Sequence, residues 1–172
     1  MPDAELGALI DMLRRAFEFS EDGEYSIEID PRTVSPQRVH ALRAMGLNRV
    51  SLGVQDFDPV VQAAVNRIQP YEQTVELIDA ARAAGFGSIN VDLIYGLPKQ
   101  HPAGFEETLR KTIAAAPGRI ALYHYAHLPA LFKPQRRIAE ADLPSSEEKA
   151  RMFETAVAMF ARPTQHLEVF FA

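Results

Sequence analysis

Glu28, Gln55 and Asp92 are polar residues in runs where an α/β chain ordinarily places aliphatic ones. They fall in three short β-prone stretches, "YSIEIDP", "RVSLGVQDF" and "SINVDLIYGLP". A period of two puts Tyr25, Ile27 and Ile29 on one face of the first, with Ser26, Glu28 and Asp30 on the other. Val50, Leu52 and Val54 likewise oppose Ser51, Gly53 and Gln55, and Ile89, Val91, Leu93 and Tyr95 oppose Asn90, Asp92 and Ile94. An acid on a buried strand costs several kcal/mol unless something pairs with it. A salt bridge or a helix cap would account for any one of these acids alone. Three strands that share a small or polar face describe instead a solvated cavity for a polar ligand. There a carboxylate suits ribose hydroxyls or an ammonium group, and the Gln55 amide reads a donor or an acceptor. Arg67, in "AAVNRIQP", is either a clamp for a ligand carboxylate or an ordinary surface arginine.

These strands need elements to hold them. "DAELGALIDMLRRAFEF" has apolar residues at helical spacing. "SPQRVHALRAMG" opens with Ser35 as cap and Pro36 at the first helical position, and it stops at Gly46. "DPVVQAAVNRI", "YEQTVELIDAARAAG" and "PAGFEETLRKTIAAAP" are further helices, "RIALYHYAHL" is a fourth strand, and "SSEEKARMFETAVAMFA" begins with a capping box from Ser145 to Glu148. Alternation of strand and helix predicts an α/β fold of parallel βα units. An antiparallel sheet with one wet face also alternates in polarity, but the intervening helices call for parallel crossovers. An open doubly wound sheet and part of a TIM-type barrel both fit. The absence of a glycine-rich phosphate turn disfavours the first. With about four strands, the chain supplies roughly half of a barrel that takes about 250 residues to close.

Composition bounds the chemistry. The 172 residues are 47% hydrophobic and 24% charged, enough for one domain with a core. A net charge of -5 offers no basic stripe for nucleic acid. No apolar run is long enough for a membrane span and the start carries no signal-peptide pattern, so the expected location is the cytoplasm. There is no cysteine, hence no disulfide and no thiolate ligand for zinc or an iron–sulfur cluster. The two histidines of "YHYAHLP" are expected to be packed or hydrogen-bonded rather than metallated.

The strings "IEIDPR", "RVSLGVQDFDPVVQAAVNRIQ", "NVDLIYGLPKQ", "YAHLP", "FKPQRRI" and "DLPSSEEK", in this order, resemble the oxygen-independent coproporphyrinogen III oxidases. These are radical S-adenosylmethionine (SAM) enzymes of haem biosynthesis. The likeness covers about residues 25–160. "YAHLP" followed by "FKPQRRI" favours the oxidase over its haem-trafficking relative, which shares "GVQDF" and "DLIYGLP". The resemblance implies an incomplete, splayed barrel holding a 4Fe–4S cluster and two molecules of S-adenosylmethionine. Glu28 would contact the first, and Gln55, Arg67, Asp92 and Ala126 the second; Ala126 is indicated by the resemblance alone. The implied reaction converts two propionates of coproporphyrinogen III to vinyls, with an electron donor as partner.

The chain departs from that pattern in three places. The three-cysteine cluster loop and the glycine-rich GGGTP turn are not found, as if the first two βα units were missing. Residues 1–160 are therefore expected to form the central part of the barrel. Residues 161–172 form a divergent tail, where "ARP" follows the last helix directly. Catalysis by this chain alone is not expected, and exposed barrel edges invite self-association. Two alternatives stay open, a segment of the haem-trafficking relative and a non-catalytic S-adenosylmethionine-binding remnant.

Overall fold

Caps written into the sequence set where the helices start. In the computed structural model, which describes residues 1–161 and 167–171, the Ser35 hydroxyl accepts from the Arg38 amide to open α2 (Pro36–Ala44). Asp58 accepts from the Val60 amide to open α3 (Pro59–Ala64). The expected capping box of Ser145 and Glu148 opens α6 (Ser146–Phe160). α4 (Tyr71–Ala84) ends on Gly85 at φ 80°, a left-handed cap that costs a glycine little. α1 (Asp3–Ala16) precedes the first strand, and α5 (Pro102–Ala115) follows the third.

Between the helices run β1 (Ser26–Ile29), β2 (Arg49–Gln55), β3 (Ser88–Tyr95), β4 (Arg119–His124) and β5 (Glu168–Phe171). All pair in parallel, in the order β1-β2-β3-β4-β5. That order decides between the two architectures. A doubly wound sheet reverses its strand order midway and carries helices on both faces. An unreversed order with right-handed crossovers puts every crossover helix on one face, as in a barrel wall.

The sheet also curls. Glu24, just before β1, pairs with Arg49 of β2 at 2.7 Å and with Arg119 of β4 at 3.4 Å. In a flat sheet β1 and β4 would be about 14 Å apart. Arg119 also pairs with Glu168 of β5, so one charged cluster ties four strands together at the base of the wall.

The helix-facing side is the core. Val50, Leu52, Val91, Leu93, Ile120 and Leu122 are almost fully buried against Val39, Leu42, Leu77, Ile78, Phe105, Leu109 and Met152. The opposite face carries Glu28, Ser51, Gly53, Asn90 and Asp92. Register brings Glu28 beside Ser51, Ser51 beside Asn90, and Gly53 beside Asp92. The fifth strand is a difference from the sequence reading. It falls in the expected tail, where four residues are too few to show a pattern. The "ARP" junction runs into residues 162–166, outside the described residues.

Candidate functional site

Three of the expected site residues meet over Gly53. Arg67, just beyond the short helix α3, donates from Nη2 to the Gly53 carbonyl at 2.7 Å. A Cβ on residue 53 would stand 3.0 Å from Arg67 Nη2, 3.0 Å from Gln55 Nε2 and 3.9 Å from Glu28 Oε1. The missing side chain is thus what lets a guanidinium, an amide and a carboxylate converge there.

Gln55 reaches this point through a distortion the alternation does not reveal. The β2–β3 register slips between Gly53 and Gln55, and Gln55 adopts φ 70°. A non-glycine residue with positive φ at a bulge is costly backbone, of the kind that clusters at functional sites. The guanidinium of Arg67 is held from behind by Asp30 at 3.5 Å. Asp30 is itself gripped by Arg32 at 2.6 Å, and hydrogen bonds from Arg32 hold its carboxyl below the usual aspartate range. Burial pushes Arg67 below its ordinary value, and the charges of Asp30 and Glu28 oppose that shift.

Asp92 lies one strand over, level with Gly53. Its Oδ2 accepts from the Ser51 hydroxyl at 2.7 Å and its Oδ1 from Asn90 Nδ2 at 2.7 Å, while Asn90 also donates to Ser51. The pairing an acid needs in a strand is therefore supplied by its own face. This triad, with Glu28, Tyr123 and Phe170, lines a cavity of about 430 Å³. Gln55 and Arg67 line a second, of about 460 Å³, towards the carboxyl ends of the strands. Ala126 stands apart from the Gly53 cluster, exposed two residues beyond β4, with its carbonyl accepting from Gln135 Nε2 at 3.0 Å. A larger hollow of about 490 Å³ at the amino ends of the strands is lined by Glu24, Arg49, Arg119 and Glu168, whose charges are already paired with one another.

Sequence reasoning missed a buried network behind Gln55. Asp56 is 1% exposed, and its Oδ1 accepts from the Asp58 amide at 2.6 Å and from Thr108 Oγ1 at 2.7 Å. Its Oδ2 accepts from Gln100, whose own Oε1 takes the Gly96 amide at 2.6 Å. The loops after β2 and β3 are thereby fastened together directly beneath Gln55. Burial raises Asp56 above the usual carboxylate range, against the pull of those donors. The one signal was the acid next to Gln55 in "GVQDF".

His124 packs on Tyr95, with ring centroids 5.1 Å apart, and His127 lies against Tyr125. Among the described residues no group of three or more metal-capable side chains is found, and no helix is long and apolar enough to cross a membrane. An unreversed parallel sheet with its polar face turned from the helices now meets an independent finding. The profile described as the radical SAM superfamily matches residues 2–112. The chain belongs to the radical SAM superfamily.

Its relatives within that superfamily are specific. It is 43% identical, over 96% of its length, to the oxygen-independent coproporphyrinogen III oxidase of Escherichia coli K12, and covers 39% of that protein. It is 48% identical, over 91% of its length, to the same-named protein of Pseudomonas aeruginosa, covering 35% of it. Among solved structures, the radical SAM coproporphyrinogen III oxidase of Escherichia coli matches with a TM-score of 0.92 at 44% identity, over 94% of this chain and 37% of that one. The chain thus spans well under half the length of the curated relatives it matches.

Proposed function

We propose that this radical SAM chain is the cofactor-cradling wall of an oxygen-independent coproporphyrinogen III oxidase, working within a larger catalytic unit. The observation that carries the reading is the meeting of Glu28, Gln55 and Arg67 over Gly53. A Cβ there would fill the cradle, and the donor set matches S-adenosylmethionine. Arg67 and Gln55 are a cation and an amide for a carboxylate, while Glu28 and Asp92 accept from hydroxyl or ammonium groups. Glu28 would serve one molecule of the cofactor. Gln55, Arg67, Asp92 and the backbone at Ala126 would serve a second.

Bound there, S-adenosylmethionine would supply the radical that takes one hydrogen atom from a propionate of coproporphyrinogen III, which then loses carbon dioxide and one electron, the electron passing to an acceptor, to become a vinyl group. The chain's own residues bind and orient. The Asp30–Arg67 pair and the bond from Arg67 to the Gly53 carbonyl fix one donor before any ligand arrives, which lowers the entropic cost of binding. The bulge sets the backbone from which Gln55 reaches. A 4Fe–4S cluster does not fit the residues present, because no cysteine occurs in the 172 and so no thiolate is contributed from this chain.

Calorimetric titration of the chain with S-adenosylmethionine tests the reading. Asp92→Ala removes one acceptor and leaves Ser51 and Asn90 facing each other. The expected result is measurable binding to the wild type, weakened about tenfold or more in the variant. Absence of heat with the wild type would sink the proposal.

A further inference from the structure

The cavity that holds Gln55 and Arg67 has a second guanidinium that the cofactor reading leaves unused. Arg137 lines it too, on the short 3₁₀ turn Lys133–Arg137 after β4. Both charged groups in that lining are arginines, with no carboxylate among them, in a chain whose net charge is -5. The remaining wall is largely aliphatic, including Val65, Ile94 and Leu97. A volume of about 460 Å³ lies within the range of small-molecule sites, roughly 300–1,000 Å³.

The turn is held in place by its other residues. Gln135 accepts from the Leu128 amide at 2.5 Å and donates to the Ala126 carbonyl at 3.0 Å. Arg136 donates to the Pro129 carbonyl at 2.9 Å. Of these three side chains, that of Arg137 alone has no hydrogen bond or ion pair among the described residues. A pinned turn presenting one unengaged guanidinium to an apolar cavity is pre-organised for an anion carried on an apolar body.

We infer that Arg137 anchors a propionate carboxylate of a tetrapyrrole substrate at the outer part of this cavity, while Arg67 serves the cofactor deeper in. The inference rests on the proposed function for the identity of the ligand. The carboxylate needs the fork of donors that arginine offers, and the pyrrole ring bearing it needs the aliphatic wall.

Fluorescence titration with coproporphyrin III, a stable aromatic molecule with the same four propionates, tests it on the whole chain. Its tetramethyl ester serves as the uncharged control. The wild type should bind the acid and discriminate against the ester. Arg137→Gln should weaken acid binding about tenfold, and Arg137→Lys by less. Because the Arg137 side chain is exposed and without a partner among the described residues, both variants should keep the wild-type circular dichroism. Neither should alter S-adenosylmethionine binding, which separates a substrate carboxylate from the cofactor's own. Failure of the wild type to bind the acid, equal binding of acid and ester, equal binding of the acid by wild type and Arg137→Gln, or a loss that falls on S-adenosylmethionine would each overturn the inference. Acid binding that depends on Arg137, in a chain that gives no heat with S-adenosylmethionine, would leave this inference standing and remove the cofactor reading.

Discussion

Gly53 shows how one absent side chain organises a site. Its carbonyl accepts from Arg67, and the space above it is shared by Arg67, Gln55 and Glu28. Gly53→Ala would bring a methyl to 3.0 Å of two nitrogens, closer than ordinary contact. Since both belong to the far ends of side chains, they can withdraw without unfolding the sheet. The expected outcome is a melting temperature within a few degrees of wild type, alongside a loss of S-adenosylmethionine affinity of about tenfold. Equal affinity would show that the cradle is not where the ligand sits. Much of this was legible in the sequence, because Glu28, Gly53, Gln55 and Asp92 stand out by residue type against a period of two. The φ of Gln55 was not legible, because a bulge leaves no mark on hydrophobic alternation. Arg67 read equally well as a surface residue, since its partner Asp30 is 37 positions away and only the fold brings them together.

At the scale of elements, the helices were readable from their caps and the strands from their alternation. The connection between them was not. Asp56 and Gln100 lie in loops, where no period operates, and their pairing depends on β2 and β3 being neighbours. The same network carries a pH prediction. Burial raises Asp56 above its unfolded-chain value, so the folded state holds that proton to higher pH than the unfolded state does. Its contribution to stability is therefore fullest in acid and declines as pH rises from the ordinary carboxylate range through the raised value. Asp30, held low by Arg32, acts oppositely and loses its contribution as pH falls through its lowered value. Asp56→Asn removes the titration and turns one acceptor into a donor facing donors, at a cost of about 1–3 kcal/mol. Urea unfolding should show the variant's deficit to be larger in mildly acidic than in neutral buffer. A deficit that grows towards neutral pH would contradict the assignment.

For the whole molecule, the consequence of an incomplete barrel lies at its edges. Among the described residues β1 pairs only with β2 and β5 only with β4, so each leaves one row of backbone donors and acceptors without a strand partner. β5 adds Phe170 and Phe171, which are 51% and 47% exposed, and Phe170 lies on the same cavity as Asp92. Edge strands with apolar side chains template pairing with further chains, and natural sheets blunt them with lysine. The base of the wall does not offer the same route, because Glu24, Arg49, Arg119 and Glu168 are mutually satisfied there. Association should therefore run through β5 and respond to a charge placed on it. Sedimentation of the wild-type chain over a range of concentrations should give a mass rising above 19.1 kDa, and Phe170→Lys should hold it near that value. A wild-type mass that stays at 19.1 kDa throughout would mean the open edges do not recruit one another. An unchanged rise in the variant would shift the contact from β5 to the edge at β1.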